Sequence, residues 1–345
     1  MKSQNRPPLS RRAASAAIGL LAVSGTGALR GLAASLLTAG IVSSPAHAQQ
    51  FPSKPIHIIV PLGAGSSTDI VARLVAQGIT EETGLSVLVE NRTGAEGAIG
   101  AKAVATSPPD GYTLLLSTSS TQVVNVHLYK NLPYDPIKDF VPVAPLLALP
   151  LQLYVNTASS LNSVADVIKR AKEGKGLTFG SSTATMRLSG EMFKQKSGAP
   201  MTNVPYRATA AALVDLAGGR IDAVFTDGAS AAGQMQAGKI KPLAVMADRR
   251  AGSMPNLPTI AEAGVVGYSL TVFFGVWAPA NTPPAVVNRL NTLFMNAMKT
   301  PRVRELMSKI SADPLQMTPD EFRKLQIAEI EKIAPVVSAA GIERQ

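Results

Sequence analysis

A short run rich in β-branched residues, Pro55-Ile56-His57-Ile58-Ile59-Val60, passes without a spacer into Pro61-Leu62-Gly63-Ala64-Gly65-Ser66-Ser67-Thr68-Asp69. That loop opens onto Ile70-Val71-Ala72-Arg73-Leu74-Val75-Ala76, which is apolar at helical spacing. The order reads as buried strand, glycine loop, helix. Thr68 or Asp69 stands where a helix N-cap is needed. Two glycines leave backbone N–H groups free to face a ligand, and a helix N-terminus carries partial positive charge. The stretch therefore suits an anion, either a carboxylate or a phosphate.

The alternation continues. Leu85–Glu90 reads as a strand, Asn91–Gly97 as a turn, Ile99–Thr106 as a short helix and Tyr112–Leu116 as a third strand. The hydroxyl-rich loop Ser117-Thr118-Ser119-Ser120-Thr121 follows it. Strand–helix–strand repetition implies a parallel sheet whose ligands sit beyond the C-terminal strand ends. Phe140–Val155 is apolar but holds Pro142, Pro145 and Pro150, which suits an extended crossing rather than a helix.

A second series then begins with helix Val164–Lys172. Loops Ser181-Ser182-Thr183, Tyr206-Arg207-Ala208-Thr209 and Thr226-Asp227-Gly228 again follow strands, and the last strand of the series is Lys241–Met246. Tyr268–Pro279, with Phe273, Phe274 and the single tryptophan Trp277, reads as the return crossing. Helices Pro284–Met298, Arg302–Ile310 and Pro319–Ala340 close the chain, the last capped by Thr318. The expected architecture is α/β. One lobe is formed by residues 49–147 and 273–345 and a second by 148–272, joined by two crossing strands around a ligand cleft.

Lys2, Arg6, Arg11 and Arg12 precede an Ala/Leu/Gly-rich stretch that ends at Ala46-His47-Ala48, the pattern of a cleaved export signal over residues 1–48. A periplasmic location is expected. Ser10-Arg11-Arg12 resembles a twin-arginine start, although Ala14 stands where a bulky apolar residue is usual, so ordinary unfolded export fits as well. Residues 1–48 hold five basic and no acidic residues, leaving 28 Lys and Arg against 23 Asp and Glu, a balance of +5. The remaining basic residues are dispersed and aromatic residues make up only 5%, which argues against a nucleic-acid surface. A mild positive field favours small anions.

With no cysteine and three histidines, a thiol enzyme, a Ser-His-Asp triad or a His-rich metal site has little material. No metal, cofactor or catalytic residue is expected. Gly63-x-Gly65-x-x-Thr68 comes near a dinucleotide fingerprint, with Glu90 about where a ribose-binding acid stands. The third glycine is missing, however, and Glu90 reads better as an exposed strand end or a partner of Arg92. Arg187 and Arg207 read either as clamps for a carboxylate or as solvated charges. Asp227 either binds a ligand donor or caps its helix, and Tyr206 either walls the cleft or packs structurally. Asp69 reads as a capping residue. Phe273 and Phe274 belong to the core, with one ring able to face the cleft.

Phe51-Pro52-Ser53-Lys54-Pro55-Ile56, Thr68-Asp69-Ile70-Val71-Ala72-Arg73, Val89-Glu90-Asn91-Arg92, Pro109-Asp110-Gly111-Tyr112-Thr113-Leu114 and Leu132-Pro133-Tyr134-Asp135-Pro136 together resemble the tripartite tricarboxylate transporter substrate-binding proteins, or Bug proteins. Val204-Pro205-Tyr206-Arg207, Ala263-Gly264 and Pro279-Ala280-Asn281-Thr282-Pro283-Pro284 extend the resemblance along the chain.

The resemblance implies a type II periplasmic binding-protein fold. It also implies a monomeric receptor that captures a small organic acid for membrane permease subunits. On this basis Gly63, Ala64, Gly65, Ser66 and Ser67 hold a carboxylate through backbone amides and ordered waters. Thr118, Ser119 and Thr121 add hydroxyls. Ser181, Ser182 and Thr183, with Arg187 and Arg207, address the distal end, while Tyr206 and Asp227 stay candidates from their places after strands. Gly63-Ala64-Gly65-Ser66 departs from the usual Pro-Pro-Gly-Gly, and the loop after Gly180 is about two residues shorter. Arg187 stands where His is common, and Ala208 where Gly is usual; the added positive group suggests a dianionic ligand. A sensor subunit presenting its ligand to a signalling partner is the alternative with the same cleft, and an exported oxidoreductase the more distant one.

Overall fold

The computed structural model describes residues 51–345 apart from positions 175, 269, 311, 340, 343 and 345. The expected export signal and its Ala46-His47-Ala48 ending lie outside the described residues. The first sheet is built on β1 (Ile56–Val60), which pairs in parallel with β2 (Val87–Asn91) and β3 (Thr113–Thr118). Ile56, Ile58, Ile59 and Val60 are all buried, as the β-branched run requires of an interior strand. Helices α1 (Ser67–Thr83) and α2 (Ala98–Ala105) carry the chain back between these strands.

In this sheet the parallel expectation holds for these three strands only. β4 (Phe140–Pro150) and β10 (Thr271–Pro279) join the same sheet as an antiparallel pair, with β10 also antiparallel to β3. One strand carries the chain out and the other brings it home, so they must run opposite ways. The short β11 (Asp313–Pro314) completes the order β11-β4-β10-β3-β1-β2. The prolines of β4 are tolerated because the pairing is irregular there. Pro145 faces Gly275 and Pro142 faces Trp277, next to register shifts that remove the demand for regular ladder bonds.

Leu151 alone separates β4 from β5 (Gln152–Asn156), which belongs to a second sheet. That sheet holds β6 (Leu177–Ser181), β7 (Met201–Pro205), β8 (Ala223–Thr226) and β9 (Ile240–Val245) in the order β7-β6-β8-β5-β9. β6 runs parallel to β7 and β8, while β5 is antiparallel to β8 and β9. The outgoing and returning passages touch. The Met246 N–H donates to the Leu151 carbonyl at 2.8 Å, and the Leu270 N–H to that of Met246 at 2.9 Å.

Helix α10 (Pro319–Ala339) packs on the returning strand through Phe322, whose ring lies 5.1 Å from Trp277 and 5.5 Å from Phe273. A Cβ at Gly275 would come within 2.4 Å of the Phe322 ring, so only glycine lets the two elements approach this closely. The helix starts as Thr318-x-x-Glu321 suggests. The Thr318 N–H donates to the Glu321 carboxylate at 2.7 Å and the Glu321 N–H to Thr318 Oγ1 at 3.2 Å, a capping box. In α4 (Val164–Glu173), Ser163 Oγ accepts the Asp166 N–H at 3.1 Å. Ser163→Ala is expected to lower unfolding stability by about 1 kcal/mol, with the urea m-value unchanged.

Candidate functional site

The loop after β1 takes its shape from Asp69. One carboxylate oxygen accepts the Gly65 N–H at 3.0 Å, while the other accepts Asn91 Nδ2 at 3.0 Å and meets Arg73 at 2.9 Å. Burial opposes ionisation of Asp69, but these hydrogen bonds and the Arg73 charge outweigh it and hold the pKa below the usual range. Asp69 is thus a loop brace, and the N-cap is Ser66 rather than Thr68 or Asp69. Ser66 is extended (φ −71°, ψ 157°) and its Oγ accepts the Asp69 N–H. Several consecutive residues here are chemically able to cap; the bend fixed by Asp69 selects the one with the right backbone. Gly65 needs its φ of +77° and is exposed, with its N–H committed to Asp69. At the start of α1 the Ser67 N–H donates to Ser230 Oγ at 3.0 Å, while the Thr68 hydroxyl is buried without a protein partner.

Beyond β3, residues Ser120–Val124 form a wide π-type turn, a geometry common at functional sites. The hydroxyls of Ser117 and Thr121 pair with each other, while those of Ser119 and Ser120 are buried without a protein partner.

Across the gap, Thr183 caps α5 (Ala184–Ser197) and Asp227 caps α7 (Gly228–Gln236). Helix α6 (Thr209–Ala217) begins directly at Thr209. Ser182 and Thr209 share a hydrogen bond of 2.8 Å, and Ser181 donates to Asn203 at 2.7 Å. Tyr206 donates to Asp215 at 2.8 Å, and Arg207 is exposed.

The C-terminal ends of strands from both sheets enclose a cavity of about 30 Å³, the space of a single water. Leu62, Ser66, Ser67, Thr68 and Thr118 line it from the first sheet; Thr183, Thr185, Met186, Thr209, Thr226 and Asp227 line it from the second. Leu151, Val272 and Phe274 close it at the crossing strands. Five of the residues singled out in the sequence, Ser66, Ser67, Thr118, Thr183 and Asp227, meet here. Gly63, Ala64, Gly65, Ser119, Thr121, Ser181, Ser182, Arg187, Tyr206 and Arg207 lie outside this lining.

Thr185 carries no sequence expectation, and Thr68 and Thr209 are expected only as a cap candidate and a loop member, not as cavity residues. The available signal is their place in the first turn of a helix that follows a strand. The hydroxyls of Thr68 and Thr185 are buried and have no protein partner. A wider hollow of about 420 Å³ lies beside Pro150, Arg249, Arg250, Thr271 and Met307. Its arginines are already paired with Asp313 and Glu262, so the smaller cavity, with its unpaired hydroxyls, is the better site.

Direct contacts cross the gap. Ser67 Oγ donates to Asp227 at 2.7 Å and the Ser67 N–H to Ser230 Oγ at 3.0 Å. Arg187 meets Glu96 in a largely buried ion pair. Its Nη2 hydrogen-bonds one carboxylate oxygen at 3.2 Å, and its Nε lies 3.1 Å from the other without hydrogen-bond alignment. Burial raises the Glu96 carboxyl pKa, with Arg187 and the Tyr129 hydroxyl pulling the other way. Tyr129 is pushed up to about 12 by burial and by Glu96. Burial also raises Asp227, against the pull of Ser230 and Ser67. Glu90, exposed, pairs with Arg92 at 2.6 Å, and His127 is tied to the Ile330 carbonyl at 2.7 Å.

A family model described as the tripartite tricarboxylate transporter family receptor, TctC, matches residues 71–342. The chain belongs to this receptor family. Protein BugT of Bordetella pertussis is 34% identical over 310 residues, covering 89% of this chain and 95% of BugT. The structure of R. palustris Rpa4515 with adipate superposes with a TM-score of 0.82 at 36% identity, covering 86% of this chain and all of that one. MatC from Rhodopseudomonas palustris with bound malate gives a TM-score of 0.79 at 29% identity, covering 83% and 100%. The present TctC-family receptor shares their periplasmic binding-protein fold of two mixed α/β sheets. Among its described residues, no helix is long and apolar enough to cross a membrane.

Proposed function

We propose that this chain is a non-enzymatic periplasmic receptor that closes over a small carboxylate and hands it to the permease subunits of a tripartite transporter. The observation that carries this reading is the convergence of four helix N-termini, those of α1, α5, α6 and α7, on one hydroxyl-lined cavity. Each terminus contributes partial positive charge, that of α7 already met by the Asp227 carboxylate, so the other three favour an anion without a lysine or arginine in the lining. The cavity admits only a water-sized guest, so ligand entry requires the two lobes to part at Leu151 and at the 246–270 return. In the lobe division of 49–147 with 273–345 against 148–272, the sheet changes fall within three residues of both boundaries.

The adipate and malate held by its relatives support the carboxylate class. Charge-assisted hydrogen bonds are worth about 1.5–3 kcal/mol each, so three or four give micromolar capture after the costs of association. A thermal-shift screen of the purified protein against mono-, di- and tricarboxylates and aromatic acids tests the reading. A ligand at a hundredfold excess over its Kd is expected to stabilise by about 2.7 kcal/mol. If no carboxylate raises the melting temperature, or if the protein absorbs in the nicotinamide or flavin bands, the reading is wrong.

A further inference from the structure

Asp227 is the one ionisable side chain among the described residues lining the cavity. It is 6% exposed. One oxygen accepts the Ser67 hydroxyl at 2.7 Å and the Ser230 hydroxyl at 3.2 Å, and the other accepts the Ser230 N–H at 2.8 Å. All of these partners are neutral. The N-terminus of α7, which Asp227 caps, offers only about half a positive charge, and the lining provides no full cation to balance a carboxylate withdrawn from water. Thr68 and Thr185, 1% and 2% exposed, bring hydroxyls with no protein partner to the same cavity. Arg187, the cation that the sequence offered for a second ligand charge, faces Glu96 instead.

The helix N-termini suit one ligand carboxylate. A second one beside Asp227 would place two like charges in an enclosed space. At about 4 Å and an effective dielectric of about 20, that repulsion is worth roughly a thousandfold in affinity. An ammonium group in the same place meets Asp227 as its missing cation.

Building on the carboxylate-receptor reading, we infer that the cleft selects a carboxylate that also carries an ammonium group. The carboxylate lies at the α1 and α5 N-termini and the ammonium against Asp227. Dicarboxylates of the kind held by the relatives are disfavoured.

Calorimetric titration of the purified protein with two matched sets tests this: β-alanine, propionate and malonate, and 4-aminobutyrate, butyrate and succinate, with malate and adipate added. The aminocarboxylates are expected to bind about 10- to 100-fold more tightly than the matched monocarboxylates, the range of one charge-assisted contact, and the dicarboxylates to bind more weakly than either. Asp227→Asn, which keeps an acceptor for the α7 cap, and Asp227→Ser, also able to cap, are expected to lose that advantage and to gain affinity for the dicarboxylates. Dicarboxylates binding the unsubstituted protein as tightly as the aminocarboxylates would overturn the inference and leave the carboxylate receptor standing. So would an equal loss for every probe in Asp227→Asn, which would mark the residue as structural. Binding of no probe overturns the inference, and the receptor reading falls as well only if the wider carboxylate screen is also blank. The ranking with the unsubstituted protein decides the matter even if a variant does not fold.

Discussion

Arg187→Ala is expected to weaken binding of every ligand that needs closure by roughly a hundredfold, about 3 kcal/mol, with little change in the unfolding of the ligand-free protein. Arg187 is on α5 and Glu96 is in the turn before α2, so in the proposed two-lobe receptor their ion pair forms only with the lobes together. The two side chains are 8% and 17% exposed. Removing the guanidinium leaves the glutamate enclosed without a counter-charge, a cost of about 3–5 kcal/mol for a buried pair. Parting of the lobes returns Glu96 to water, so the penalty falls on the closing equilibrium rather than on folding. Titration with butyrate and adipate separates this role from a ligand clamp. A closure latch loses both to the same extent, whereas a clamp for a second carboxylate loses only adipate. Glu96→Gln with Arg187→Met, which removes both charges, is expected to recover most of the affinity.

Gly63→Val is expected to produce a loss of similar size by another route. A Cβ at Gly63 would stand 2.7 Å from Ala208 Cβ, across the gap at the start of α6. Ala208 has no flexible end that could swing aside, so the lobes must stay further apart. Overpacking of this kind costs about 1–3 kcal/mol, and the two extra methyl groups of valine put it at the upper end, roughly a hundredfold in Kd. Gly63 is not one of the glycines at positive φ, so the substitution strains no backbone. The melting temperature of the ligand-free protein should change little while affinity falls, and Ala208→Gly in the same chain should restore part of it. A drop in melting temperature matched by no change in affinity would place Gly63 in the fold and not in closure.

Both predictions concern residues whose partners are remote in sequence. The sequence signals for local structure were clear at many points. The β-branched run before Gly63 became the buried interior strand β1, and Thr318 caps α10 as expected. The outgoing and returning segments became β4 and β10, despite the prolines in the first. Where local reasoning fell short, the deciding group was not adjacent. Ser66 caps α1 because Asp69, braced by Asn91 and Arg73, sets the bend of the loop. The glycine loop looked like a source of free amides, yet the Gly65 N–H is taken by Asp69 and Gly63 serves a close approach to Ala208.

The sequence by itself determined the alternation of strands and helices, the places where hydroxyls follow strands, and the absence of thiol chemistry, because each depends on residues within a few positions of one another. Only the tertiary structure decided which of those hydroxyls share a cavity, that Ser67 reaches Asp227, and that Arg187 reaches Glu96. Those pairs are separated by 160 and 91 positions. Periodicity and capping preferences act over a turn or two of chain, and which loops meet depends on how the two sheets are joined by the crossing strands.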